Sequence, residues 1–344
     1  VGRGGRHRSG FGPVVGSTIV ALASWHWVFL VHAPLALLGL MWIRSGVAES
    51  CDPHAAQQRL DVAGLLTLTL AVLGCTLLIT QGDSLGWDRP FVLVLAVSSA
   101  VSLAVFVRVE RRHPHPMFDF SVFRIRDFSG AILGCIGMNC SYWPFMIYLP
   151  LYFSAGLDYD TTTAGLALLV YTVPFLIMPP VAQWLLLRYQ ARLVIPAGLF
   201  LIGLGFALMK LGSGVVHVAG GWAVLPGALL AGVGLGLTTT PATNMTTGSV
   251  PARRAGMASG MDVSARLITL ALNIALMGAV LVAGIASALR AELGAAPEQG
   301  RLRAVAEQLA GGDMPGAQQA LAALGAEQGT ASLLQDAVAR GFGW

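Results

Sequence analysis

A chain of 344 residues that is 55% hydrophobic and only 11% charged carries less than half the charge of an ordinary soluble domain, which is roughly 25% charged. Folded in water it would leave too much apolar surface uncovered, so a soluble globular class is excluded. Its net charge of +4 comes from arginines scattered between apolar runs, not from a continuous basic stripe with aromatics, which argues against nucleic acid as a partner.

In chain order, the first ten residues, VGRGGRHRSG, form an atypical N-terminal segment (1–10) with neither the apolar core nor the cleavage pattern of a secretory signal. Residues 11–24 are apolar but too short to cross a bilayer, and Arg3, Arg6 and Arg8 bar extension backward. A spanning helix needs about 20 apolar residues, with about 17 to 25 the working range. Eight later runs meet that length: 27–43, 62–80, 91–107, 128–153, 163–187, 193–209, 222–246 and 261–289. Lipid offers backbone groups no partner, and these runs lack the in/out alternation of barrel strands, so the expected fold class is an all-α polytopic membrane protein. In the remaining stretch, 290–344, RLRAVAEQLA (301–310) and SLLQDAVARG (332–341) read as short amphipathic helices. The four cysteines make no C-x-x-C pair, so no metal, redox centre or other cofactor is expected.

Arginine distribution predicts orientation. The segments 44–61, 108–127, 188–192 and 247–260 hold eleven arginines, while the alternate short loops hold only Arg89 and Lys210. Because positive residues stay on the cytoplasmic side, the first set is expected to be cytoplasmic and the tail 290–344 extracytoplasmic. The expected location is the cell inner (plasma) membrane, crossed many times.

FGPVVGS (11–17) followed by WHWVFLVHAPLALLGL (25–40) resembles the drug:proton antiporters of the major facilitator superfamily, in the branch with fourteen helices. Gly12, Pro13 and Gly16 match the G-P-x-x-G-G motif of that family's fifth helix, with Ser17 in place of the last glycine. Trp25, Trp27, Phe29 and Pro34 match the following W-R-W-x-F-x-x-N-x-P, with His26 and His32 replacing Arg and Asn. YLPLYF (148–153), AGLALL (164–169), GVGLGL (232–237) and PARRAGMASG (251–260), leading to Arg266, keep the family's order.

The resemblance implies a major facilitator-type helical bundle, incomplete at both ends, running from within the fifth helix to just before the fourteenth. Residues 11–43 would close the N-terminal bundle, 44–127 would supply two linker spans with cytoplasmic loops, 128–289 would be a C-terminal bundle of five spans, and 290–344 the external tail. It implies a multidrug exporter working with protons and small-molecule substrates in the lipid bilayer. The family's main coupling acid lies in its first helix, outside this likeness. The loop QWLLLRYQAR (183–192) corresponds to the family's conformational-switch motif; Arg188 and Arg192 match it, whereas Gln183, Leu187 and Gln190 stand where the family has Gly, Asp and Gly.

Several residues are candidates for transport, each with a plainer reading beside it. Gly12, Pro13 and Gly16 could bend a helix at a tight bundle contact, or be ordinary membrane-helix packing. Asp262 and Arg266 lie one helical turn apart near the start of a span. A charge in that place is a candidate proton-coupling pair, or else an ion pair whose ends reach interfacial water; only Arg266 matches the family. Asn139, Tyr142 and Trp143 on the 128–153 span, with Thr239, Thr243 and Asn244 on the 222–246 span, are candidates for a substrate cavity suited to lipophilic cations. The glycines of GVGLGL sit mid-span without a preceding strand, which favours helix packing over a nucleotide loop. The alternatives to export are a transport-inactive membrane sensor or scaffold and a carrier of another substrate class. A membrane enzyme would need a His, Asp or Ser cluster at one membrane face, and none is apparent.

Overall fold

The computed structural model describes residues 16, 18–20, 24–46, 61–86, 89–113, 116–157, 159–213, 220–251, 254–293, 299–323 and 330–341. Among them the secondary structure is helical throughout. Gly12 and Pro13 lie outside the described residues; Gly16 is helical, and a methyl group added there would meet open space.

Among the described residues, eight helical stretches are long and apolar enough to cross a membrane, and each contains or closely overlaps one of the eight runs expected from sequence. The first comprises α1 (Trp25–Leu30) and α2 (His32–Gly46), with no buried residue in α2. Helices α3 (Val62–Leu85) and α4 (Pro90–Arg112) form a hairpin. Asp61 caps α3 by accepting from the Gly64 amide, and Pro90 stands in the first turn of α4, where a missing N–H costs nothing. Midway, Ser99 donates to the Ala71 carbonyl at 2.8 Å across the pair. The chain continues through a 3₁₀ turn (Phe120–Arg124) into α5 (Arg126–Leu151), which ends in a π turn (Tyr152–Gly156).

The remaining spans are α6 (Thr161–Tyr189), α7 (Ala191–Ser213), α8 (Leu225–Gly248) and α9 (Ala255–Leu293). Asp160 caps α6 by accepting from the Thr162 and Thr163 amides. Helix α8 is the centre of the bundle, packed on α7, α6 and α5. Its glycines explain how. A Cβ on Gly234 would lie 2.5 Å from the Gly198 carbonyl oxygen of α7, and one on Gly227 the same distance from the Gly205 carbonyl oxygen. On another face of α8, a Cβ on Gly232 would lie 2.2 Å from the Tyr171 carbonyl oxygen of α6. Lipid tails are as apolar as leucine, so membrane helices gain by close van der Waals approach through small residues. The packing expected of GVGLGL is thus observed, with its residues shared between two neighbours.

Several arginines expected in loops sit instead in last helical turns: Arg44 in α2, Arg111 and Arg112 in α4, and Arg188 in α6. The C-terminal end of a helix dipole favours a cation, and a long stem lets the charge reach polar surroundings from within an apolar run. At the same face of the bundle, Arg254 pairs with Asp119 at 3.0 Å, tying the segment before α9 to the one before α5.

Helix α9 has 39 residues, about 58 Å at 1.5 Å per residue, well beyond the roughly 30 Å of hydrocarbon. Its far end carries a folded cap made of α10 (Gln299–Ala310), α11 (Met314–Ala322) and α12 (Thr330–Gly341). Two of these were expected; α11, started by Asp313 as cap with Pro315 in its first turn, was not. The cap is no loose tail. Leu302, Leu309, Leu321 and Leu334 bury their side chains with Ile285 and Leu289 of α9 and Ala155 of the π turn, and Arg340 pairs with Glu292 at 2.7 Å.

Replacing Gly234 by Val forces a branched side chain against the α7 backbone, which cannot move aside as a flexible side chain could. We expect Gly234→Val to destabilise the protein by about 3 kcal/mol, the upper end of the usual cost of overpacking, read as a lower unfolding temperature in detergent. Gly203→Ala, which points into open space, should leave that temperature unchanged or slightly raised.

Candidate functional site

Asp262 sits in the third turn of α9, about 10 Å from the helix start at 1.5 Å per residue. It is 4% exposed, so the reading in which both members of the pair reach interfacial water does not hold for the acid. Arg266 donates through Nε to Asp262 Oδ2 at 2.9 Å, as the i, i+4 spacing predicts. Two further helices complete the site. The Cys135 thiol of α5 donates to Asp262 Oδ1 at 2.9 Å. Arg266 Nη2 donates to Thr243 Oγ1 of α8 at 2.8 Å and reaches Cys135 Sγ at 3.2 Å. Both carboxylate oxygens and two guanidinium nitrogens are therefore bonded, which is what a charged pair needs if it is to persist away from water.

Around this network the candidate residues separate. Asn139 is buried one turn along α5 and donates to the Cys135 carbonyl at 2.8 Å. Thr239 donates to the Leu235 carbonyl and contacts Met138 Sδ, both at 2.8 Å. Tyr142 stacks on Tyr171 with centroids 6.2 Å apart and lies 5.5 Å from Phe175, while Trp143 packs edge-on to Tyr142 and is partly exposed. Asn244 is exposed, on another face of α8, where it donates to Gln183 of α6 at 3.0 Å. The structure thus joins Thr243 to the Asp262–Arg266 pair, places Asn139 and Thr239 beside it, and keeps Asn244 apart. Cys135 was missed by sequence reasoning, because a lone cysteine inside an apolar run looks like a small hydrophobe.

A cavity of about 400 Å³ lies apart from the network, toward the other ends of α5 and α7, walled by Phe145, Tyr152, Phe206 and Met209, with Cys140 and Lys210 among its polar groups. The candidate cavity residues read from sequence do not line it. For Asn139 and Tyr142 the reason is local: the amide is held by its own helix and the ring is held by Tyr171 and Phe175.

The expected ten-residue switch loop at 183–192 is helix on both sides of a single residue, Gln190. Arg188 lies over Trp184 and Tyr189, with its guanidinium carbon 5.6 and 5.7 Å from the two ring centroids, and Arg192 is exposed in the first turn of α7. Gln190 turns the corner with φ 64° and ψ 153°, a region nearly reserved for glycine. It occupies the position where the resemblance places a glycine.

Residues 9–272 match the Major Facilitator Superfamily. The chain belongs to that superfamily. It is similar to the multidrug resistance protein Stp of Mycobacterium tuberculosis, 30% identical over 282 residues that cover 82% of this chain and 51% of that protein. It is also similar to the quinolone resistance protein NorB of Staphylococcus aureus, 27% identical over 274 residues, 79% of this chain and 58% of that one. The chain spans about half the length of the curated relatives it matches. As a major facilitator protein with eight helices able to span, it is a multi-pass protein of the plasma membrane. These relatives agree with the drug:proton antiporter branch that the motifs suggested.

Two outcomes follow for this major facilitator chain. Removing one partner of a buried pair leaves a charge unanswered, so Asp262→Ala should cost about 3–5 kcal/mol of stability, and Asp262→Ala with Arg266→Ala should cost less than the two single changes together, both measured by unfolding in detergent. Gln190→Gly should relieve backbone strain and raise stability by about 1–3 kcal/mol in the same assay.

Proposed function

We propose that the chain is the part of a proton-coupled exporter of lipophilic or cationic small molecules that holds its C-terminal bundle and linker hairpin, with the arginine-rich ends of its spans facing the cytoplasm. The observation that carries the reading is the network of Asp262, Arg266, Cys135 and Thr243. A buried acid is costly unless it has work to do, and here its charge balances an arginine that also grips α8.

A proton reaching Asp262 removes the charge that holds Arg266. The guanidinium then faces only a neutral acceptor on Asp262 and loses the charge that aims it at Thr243 and Cys135, so the contact between α9 and α8 loosens. Loss of the proton restores it. Alternating-access carriers need such an element at a helix contact, since their bundles rock about a central site. The rings of Tyr142, Tyr171 and Phe175 next to Asn139 pack on one another, so a flat cationic body would meet a ring face there only once the bundle opens. The apolar cavity at Phe145 and Phe206 offers a place for a lipophilic one. The proposed chemistry is transport without bond making, with no nucleic acid as partner. The names of the relatives, a multidrug and a quinolone resistance protein, support a small-molecule substrate.

The test is efflux of a lipophilic cationic dye from vesicles containing the protein, driven by an imposed pH gradient. Efflux should stop with a protonophore, and Asp262→Asn should slow it at least about tenfold, equivalent to 1.4 kcal/mol, while dye binding at equilibrium is retained. Gradient-independent dye movement, or an Asp262→Asn protein with normal coupled efflux, refutes the reading. Neither binding nor efflux by the wild type would instead favour a transport-inactive sensor or scaffold.

A further inference from the structure

The linker hairpin holds a second pair of acids, remote from Asp262. Glu110, in the last turn of α4, is 2% exposed. Its Oε2 accepts from the Phe118 amide at 3.1 Å, so it fastens the segment that leads from α4 toward α5. Its Oε1 is buried and, among the described residues, has no hydrogen-bond partner. Across from it is Asp61, whose Oδ1 accepts from the Gly64 amide at 2.8 Å and whose Oδ2 is likewise buried and without a partner among the described residues. The two orphan oxygens flank one spot: a Cβ on Gly64 would lie 2.6 Å from Asp61 Oδ2 and 2.8 Å from Glu110 Oε1. Glycine at 64 is what leaves room for them to approach.

Two ionised carboxylates do not lie together in a buried place without a counter-ion, and acceptor-only oxygens cannot answer each other. One proton resolves both faults, because a protonated carboxyl donates to its ionised neighbour. We propose that Asp61 and Glu110 form a proton-binding site that holds a single proton between Oδ2 and Oε1, and that this proton keeps the α3–α4 hairpin latched to residues 117–118. When the proton leaves to water, like charges face one another, Glu110 moves off, and the Phe118 amide loses its acceptor. Phe118 also packs edge-on to Phe106 of α4, with centroids 5.7 Å apart, so once the amide is released that ring contact is what still holds the segment to α4. Among the described residues, the titratable groups whose charge reaches Glu110 are Asp61, at the start of α3, and His113, at the end of its own helix. His113 is the alternative sensor that the experiment has to exclude. The site stands independently of the transport reading, and its test reads no transport.

The experiment is amide hydrogen exchange of the full chain in detergent over a pH series, following the peptide that contains Met117 and Phe118 and correcting for intrinsic base-catalysed exchange. In the wild type, protection should fall with rising pH, by up to about tenfold per pH unit, the limit for release of one proton. Glu110→Gln replaces the shared proton by an amide N–H and should stay protected at every pH. Asp61→Asn carries the same expectation and serves if Glu110→Gln fails to fold, as judged by protection of the α8 peptide around Gly232. Glu110→Ala should be unprotected throughout, and His113→Gln should keep the wild-type profile. A pH-independent wild type, a wild-type profile in both amide variants, or loss of the profile in His113→Gln overturns the proposal.

Discussion

Hydrocarbon answers no hydrogen bond, so every polar atom that enters it must find its partner within the chain. Hydroxyls meet this demand cheaply. Thr67, Thr76, Thr238 and Thr269 each donate to a carbonyl four residues back on their own helix. A charged pair cannot be answered so locally. Asp262 and Arg266 draw on α5 and α8 for their remaining bonds, and in doing so they fix how three spans stand relative to one another. Tyr148, which donates to the Ile274 carbonyl at 3.1 Å, and Asn273, which donates to the Cys140 carbonyl, extend the same arrangement along the α5–α9 contact.

Where no polar atom is involved, shape takes over. Large apolar residues such as Leu193, Phe200, Leu204 and Leu211 point outward from α7, whereas alanines and glycines line the contacts of α8. This reverses the soluble pattern. It follows because leucine gains nothing by leaving lipid for protein, while backbones that come close gain dispersion contacts and exclude lipid.

The spans were legible because a run of apolar residues as long as the bilayer is thick has few other meanings, and each of the eight is present. The role of GVGLGL was legible for a similar reason: glycine in mid-span without a strand before it has packing as its plainest use. The Asp262–Arg266 pair could be read from helical spacing alone. Its surroundings could not, since Cys135 is separated from Asp262 by more than a hundred positions and its type carries no polar signal. The switch segment was read as a loop from its likeness to a motif, although a long arginine side chain can leave the last turn of a helix and still reach polar surroundings. In the far region, α11 escaped notice for want of clear periodicity, yet Asp313 followed closely by Pro315 was a start signal in plain sight. Asn244 and Thr243 are adjacent in sequence but face different neighbours, a separation that only the placement of α6 and α9 decides.

Helix α9 contains no proline and no described break from Ala255 to Leu293. The end that holds Asp262 and the end that is buried in the cap therefore belong to one stiff rod. Geometry then acts as a lever: a tilt of about ten degrees at one end displaces the other by about 10 Å over the rod's length. Whatever shifts the acid by a fraction of its own width is magnified at the opposite face of the membrane, where the cap rides on the rod as a flag on its pole.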